Sequence, residues 1–186
     1  MTDLDRAIGL IIESLRSGGT LYACGNGGSH AHADHLVAEL VGRFAYDRAP
    51  LRAVLLSTGG AVGSCIANDY GWELVFQRQV LALCGVRQDS NDDEVRDVLV
   101  VFTTSGRSRN VLEAALCAWS HGASVVVLTG PGPVAFAALE IAAAEQVHSS
   151  PVIVRSLADG TPAIQEQHQA WVHEIARRVE LEMFPR

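Results

Sequence analysis

The chain reads as an α/β protein with a central parallel sheet and helices on both faces. Three observations predict this. Helix-patterned and strand-patterned segments alternate along the chain. Residues 97–102 and 123–128 are nearly continuous apolar runs, as suits strands buried on both faces of a parallel sheet. The first strand-like run, 20–24, passes straight into a glycine turn and a helix, the βα junction of doubly wound sheets.

In chain order, residues 4–16 place Leu4, Ala7, Ile8, Ile11, Ile12 and Leu15 on one helical stripe, ended by Gly18-Gly19. A strand follows at 20–24 and a helix from Ser29 to Val41. A second strand is predicted at 51–56. Gly59-Gly60 opens a short helix toward Ala67, and Asn68-Asp69-Tyr70-Gly71 reads as a turn. Helix returns at 72–84. Residues 85–96 are polar and charged and read as a solvated loop. Strand 97–102, helix 108–121, strand 123–128 and the turn Thr129-Gly130-Pro131-Gly132-Pro133 come next. An alanine-rich helix is predicted over 134–145 and a last strand over 151–155. The final helix runs to about Met183, with Thr161 as N-cap and Pro162 at its first position. No repeat, linker or low-complexity segment interrupts this, so residues 1–186 form one domain, with 1–19 an N-terminal helix leading into the first strand.

The 186 residues are 48% hydrophobic and 19% charged, ordinary values for a globular protein. The formal net charge is −7 and no lysine/arginine run exists, which argues against a nucleic-acid partner. No apolar stretch reaches membrane-spanning length, and the acidic start Met-Thr-Asp-Leu-Asp does not resemble a signal peptide. Cys24, Cys65, Cys84 and Cys117 are scattered with no C-x-x-C spacing, so they read as reduced thiols. A cytoplasmic location is expected, with no membrane partner. Cys24 is a poor nucleophile candidate, since nothing beside it lowers its pKa.

The chemistry concentrates in Cys24-Gly25-Asn26-Gly27-Gly28-Ser29 and the helix that follows. A strand, a glycine turn and a helix N-terminus present free N–H groups to an oxyanion. His35 and Glu39, four residues apart, share a face of that helix. A second cradle, Thr103-Thr104-Ser105-Gly106-Arg107-Ser108, precedes another helix. Its four hydroxyls exceed what a cap uses and suit a phosphate, with Arg107 and Arg109 as nearby cations. Neither glycine turn is a P-loop or a dinucleotide fingerprint. The last helix carries Gln165, His168 and His173. Gln165 and His173 lie about 12 Å apart along its axis. They meet one small ligand only by leaning toward each other; otherwise they serve different sites. His168 reads as a packing or surface residue, and His30 and His32 as polar surface or entry-side residues.

Together these segments resemble the sugar isomerase (SIS) domains, specifically the phosphoheptose isomerases. The match comprises Cys-Gly-Asn-Gly-Gly-Ser with His35 and Glu39, then Asn68-Asp69-Tyr70-Gly71 and the loop from Thr103 to Ser108. It closes with Ile164-Gln165-Glu166-Gln167-His168 and His173. The resemblance spans residues 20 to 184 and implies a single SIS domain with a flavodoxin-like three-layer fold. It implies an aldose–ketose isomerase that converts sedoheptulose 7-phosphate to glycero-manno-heptose 7-phosphate through an enediol. By this resemblance Glu39 and His173 are the catalytic acid/base pair. Asn26, Gly27, Gly28, Ser29, Glu39, Asn68, Asp69, Thr103, Thr104, Ser105, Ser108 and Gln165 bind substrate. His35, Glu39, Gln165 and His173 bind Zn2+, and the assembly is a homotetramer with sites between subunits.

A carboxylate and an imidazole suit proton transfer beside a carbonyl at neutral pH. The chain departs from the family pattern at Thr103 for serine, Arg107 for asparagine and His32 for aspartate. It departs again at 57–61 and at Pro162-Ala163. A second reading is a non-catalytic relative that associates with the DnaA initiator; such proteins lack the glutamate and second histidine, and this chain has both. A third, the sensor domain of a transcription regulator, lacks support because no helix-turn-helix or basic region accompanies the domain.

Overall fold

In the computed structural model, which describes residues 1–88, 94–135, 137–145 and 150–186, five parallel strands form one sheet. They are β1 (Leu21–Gly25), β2 (Ala53–Leu55), β5 (Val98–Thr103), β6 (Ser124–Thr129) and β7 (Val152–Arg155). Their spatial order is β2-β1-β5-β6-β7. The chain winds outward from β1 in one direction and from β5 in the other. The crevice between those two strands is the topological switch point, where such sheets bind ligands.

The central strands are apolar because both faces are covered. Tyr22, Cys24, Leu99, Val101, Val125 and Val127 point to one core; Leu21, Ala23, Val98, Val100, Phe102, Val126 and Leu128 point to the other. The first core takes the buried sides of α3 (Gly60–Tyr70), α4 (Gln77–Leu83) and α5 (Arg109–Ser120). The second takes α1 (Asp3–Arg16), α2 (Gly28–Val41) and α7 (Thr161–Met183). A further helix, α6 (Ala137–Glu145), precedes β7. Helix α1 starts in a capping box, with Thr2 Oγ1 accepting from Asp5 N at 3.1 Å and Thr2 N donating to the Asp5 carboxylate at 2.8 Å.

The predicted layers and helices stand, with five local corrections. The polar segment 85–96 is not all loop: β3 (Val86–Gln88) and β4 (Glu94–Arg96) pair antiparallel there, while residues 89–93 lie outside the described residues. Asp97 does not open the strand. Its buried carboxylate accepts from Thr20 N at 2.8 Å and Gly85 N at 3.1 Å, pinning two loops. Helix 72–84 is broken: Trp72–Leu74 forms a 3-10 turn and α4 starts only at Gln77. Asn68, Asp69 and Tyr70 continue α3, and the reversal falls on Gly71 alone, whose φ of 94° favours glycine. At α7 the cap is Gly160 and Thr161 is already helical, so the predicted start is late by one residue. Among the described residues no helix is long and apolar enough to cross a membrane.

Candidate active site

The C-terminal ends of β1 and β5 lie in register, Gly25 beside Phe102, so the two cradles predicted from sequence stand side by side at the switch point. The first is the start of α2. Gly27, at φ 54°, turns the chain into the helix, and no side chain caps it; the N–H groups of Ser29 and His30 donate to the backbone carbonyls of Asn26 and Gly27, and the helix dipole still favours an anion at this end. A Cβ at Gly28 would collide with the Gln165 carboxamide, so glycine lets α7 cross the start of α2. Ser29 is buried at this turn. Asn26 and Asn110 exchange two side-chain hydrogen bonds, 2.8 and 2.9 Å, which tie the first cradle to the first turn of α5.

The second cradle runs from Thr103 to Ser108. Ser108 is the N-cap residue of α5, yet its hydroxyl does not cap the helix; it accepts from Thr103 Oγ1 at 3.3 Å. The serine-rich loop is therefore not consumed as a cap. Ser105 Oγ accepts from Arg107 N at 3.1 Å, which folds the loop tightly, while Thr104 is half-buried. The Arg107 side chain is exposed.

The reactive pair lies between α2 and α7. Residues 32, 35 and 39 make one stripe on α2; residues 165, 169 and 173 make one stripe on α7; the two stripes face each other. His35 Nε2 donates to Glu39 Oε1 at 2.9 Å. The His35 and His173 rings stand edge to face with centroids 5.3 Å apart. Between them lies a residue the sequence reading passed over: Gln169 Nε2 is 3.0 Å from His35 Nδ1 and 2.9 Å from His173 Nε2. Gln169 Oε1 is 3.2 Å from His32 Nδ1. The structure thus brings Glu39, His35 and His173 into one hydrogen-bonded cluster. An open cleft of ≈ 410 Å³, lined by Gly28, His32, Gln165 and Gln169 among others, runs past it.

Gln165 and His173 do not converge within the chain: Gln165 lies against Gly28, two turns before His173. Asn68 and Asp69 are exposed on the last turn of α3, where Asn68 Nδ2 donates to Asp69 Oδ1 at 2.8 Å. They meet no member of the cluster. Of the two readings of His32, the entry-side one fits: it lines the cleft and reaches Gln169. His168 is wholly buried, its ring packed against Phe102 and Trp171. Burial pushes its imidazole down to about 4. The Thr129 backbone acts the other way, and among the described residues neither ring nitrogen has a hydrogen-bond partner. Burial pushes the Cys24 thiol far above the usual thiol range, which removes it as a nucleophile. Asn110 and Gln169 were visible only as spacing: Asn110 two residues past Ser108, and Gln169 midway between Gln165 and His173.

Fold and site together define the class, a doubly wound domain with hydroxyl- and glycine-lined anion cradles at its switch point. A family model, the SIS domain, matches residues 1–130. The phosphoheptose isomerase of Rhodospirillum rubrum is 38% identical over 94% of this chain and 82% of its own length. That of Thiobacillus denitrificans is 36% identical over 95% and 82%. A solved phosphoheptose isomerase from Neisseria gonorrhoeae superposes with a TM-score of 0.76 at 34% identity, covering 96% of this chain and 85% of that one. The chain belongs to the phosphoheptose isomerase family of SIS domains.

Proposed function

We propose that this protein is an aldose–ketose isomerase that converts D-sedoheptulose 7-phosphate to D-glycero-D-manno-heptose 7-phosphate. The observation that carries the reading is the cluster of Glu39, His35 and His173 beside two anion cradles, in a chain whose relatives are named phosphoheptose isomerases. The reaction removes a proton from C1 of the ketose, forms a cis-enediol, and returns a proton to C2. One member of the Glu39/His173 pair handles the carbon-bound proton; the other moves the proton between O2 and O1. The phosphate sits in the loop from Thr103 to Ser108, with Ser29 and the start of α2 beside it. Asn26, Gly27 and Gly28 line the sugar.

Zinc is part of this reading through the resemblance. Two imidazoles, a carboxylate and an amide suit zinc in kind. His35 adjoins both Glu39 and His173, although among the described residues no three His, Cys, Asp or Glu side chains form a ready metal cluster. His35, Glu39 and His173, with Gln165, would hold the ion, and bound zinc supplies Lewis-acid polarisation of a carbonyl oxygen. A homotetramer with sites between subunits is the expected assembly. The exposed apolar side chains Val62, Tyr70, Trp72, Leu81 and Leu83 support it. So do Asn68 and Asp69, which have no role within one chain. Four free cysteines support a cytoplasmic location.

The non-catalytic reading is not favoured, because Glu39 and His173 are both present and joined through His35 and Gln169. Incubation with sedoheptulose 7-phosphate, with zinc supplied and the product identified by NMR, tests the proposal. An aldoheptose phosphate is expected; a folded protein that leaves the sugar unchanged refutes it.

A further inference from the structure

The two cradles end adjacent strands, and the second holds its own shape. Thr103 Oγ1 donates to Ser108 Oγ, Arg107 N donates to Ser105 Oγ, and the Gly106 carbonyl accepts from Ala135 N at 2.8 Å. The first cradle is the start of α2, which carries His35 and Glu39 about 9 and 15 Å beyond Ser29 along its axis. Among the described residues, the only side-chain hydrogen bonds between the two cradle segments join Asn26 to Asn110. They close a ring of two amides: Asn110 Oδ1 accepts from Asn26 Nδ2 at 2.8 Å, and Asn110 Nδ2 donates to Asn26 Oδ1 at 2.9 Å. Asn110 Oδ1 also accepts from Val111 N at 3.0 Å. That N–H fixes the orientation, because a reversed Asn110 amide would set two donors against each other. Asn110 is 3% exposed, out of reach of a sugar, whereas Asn26 is half-buried on the turn.

We propose that Asn110 is a positioning residue for the isomerisation: through Asn26 it sets the start of α2, and with it the acid/base machinery, relative to the loop that holds the phosphate. The proposal rests on the function proposed above. A sugar gripped at its phosphate presents its reactive carbons at one fixed distance, and a misplacement of about 1 Å costs about 10²-fold in rate. A tilt of α2 by about 5° at its first turn moves a group 15 Å along the axis by that much. Val111 N and Leu112 N also donate to the Ser108 carbonyl, each at 3.0 Å, so the first turn of α5 closes without the Asn110 amide. The phosphate loop therefore survives the loss of the pair, and what is lost is its register with α2.

The test is a double-mutant cycle on the full-length protein with zinc supplied: Asn26→Ala, Asn110→Ala and the two combined. Sedoheptulose 7-phosphate is the substrate, and inorganic phosphate, as a competitive inhibitor, probes the phosphate loop alone. Asn110→Ala should lower kcat about ten- to hundredfold, while the inhibition constant of inorganic phosphate stays within about twofold of the wild type. Asn26→Ala loses its sugar contact as well and should cost more. The double variant should lie within about twofold of Asn26→Ala, because the pair is already broken. Asn110→Ser is too short to span to Asn26 and should repeat the alanine result; it carries the test if the alanine variant does not fold. Wild-type kcat in the Asn110 variants would overturn the inference, as would losses that multiply in the double variant. A parallel loss of kcat and of phosphate affinity would overturn it too, since the amide would then be building the phosphate loop. In all three cases the wild type still turns over. A wild type inert toward the sugar instead refutes the proposed function, and this inference with it.

Discussion

Helices α2 and α7 run side by side in the same direction and carry two polar assemblies about 10 Å apart along α7. At the far end Arg48 and Glu180 form an ion pair at 3.4 Å, with both side chains 2% exposed. Glu180 also accepts from Phe44 N and Ala45 N. Arg48 donates to the carbonyls of Leu40, Glu39, Gly42 and Ala49. Two turns earlier along α7, His35 and Glu39 are 37% and 20% exposed, and His173 is exposed with only Gln169 bonded to its Nε2. One assembly clamps the last turn of α2 to α7 with most of its donors and acceptors engaged, although the buried Arg48 Nε makes no hydrogen bond. The other stands on the same two helices with lone pairs and protons to spare. A buried charge pair is held by a dense set of hydrogen bonds, whereas a reacting pair needs unspent capacity on a rigid support.

The largest break in this contrast is expected at the open end. Glu39→Gln and His173→Ala should each lower kcat by about 10²- to 10⁴-fold, the usual share of an acid/base group, while the thermal unfolding midpoint stays near that of the wild type. Steady-state kinetics with parallel calorimetry check both halves of the statement. At the closed end the signs reverse. Arg48→Met strands Glu180 in the interior and should cost about 3–5 kcal/mol of stability by urea unfolding. The fraction that remains folded should keep nearly all its kcat.

His168 sharpens the comparison, because it lies on the same helix yet belongs to neither assembly. Its folded pKa of about 4 lies below the ordinary 6.5, so the unfolded chain binds the extra proton between those values. Stability is therefore complete above pH 6.5 and falls as pH drops toward 4, by about 3 kcal/mol at pH 4 from this residue alone. Urea unfolding at pH 7 and at pH 4 should display the loss in the wild type. In His168→Leu the gap between the two pH values should narrow; an unchanged gap would mean that His168 does not carry it. The smallest expected effect lies at the phosphate cradle. Thr103→Val removes one hydroxyl from the ring and should raise KM for the sugar phosphate about tenfold, with kcat little altered.

Much of this was legible in the chain. The apolar runs of β5 and β6 specified a sheet covered on both faces, and the glycine and hydroxyl turns marked the ends of β1 and β5. The pairing of His35 with Glu39 followed from a spacing of four. Contacts that depend on how two helices register were not legible. Gln169 looked like any polar residue on α7 until α2 was placed beside it. Arg48 and Glu180 lie 132 residues apart, and nothing local links them. The β3–β4 pairing hid inside a charged segment because antiparallel backbone bonds need no apolar alternation there.

The central claim is that Glu39 and His173 handle the protons of an enediol. Turnover of sedoheptulose 7-phosphate in D2O, followed by NMR, addresses it directly. The wild type should deliver an aldoheptose phosphate carrying deuterium at C2, and Glu39→Gln and His173→Ala should deliver almost none. Conversion by either variant at the wild-type rate would contradict the account.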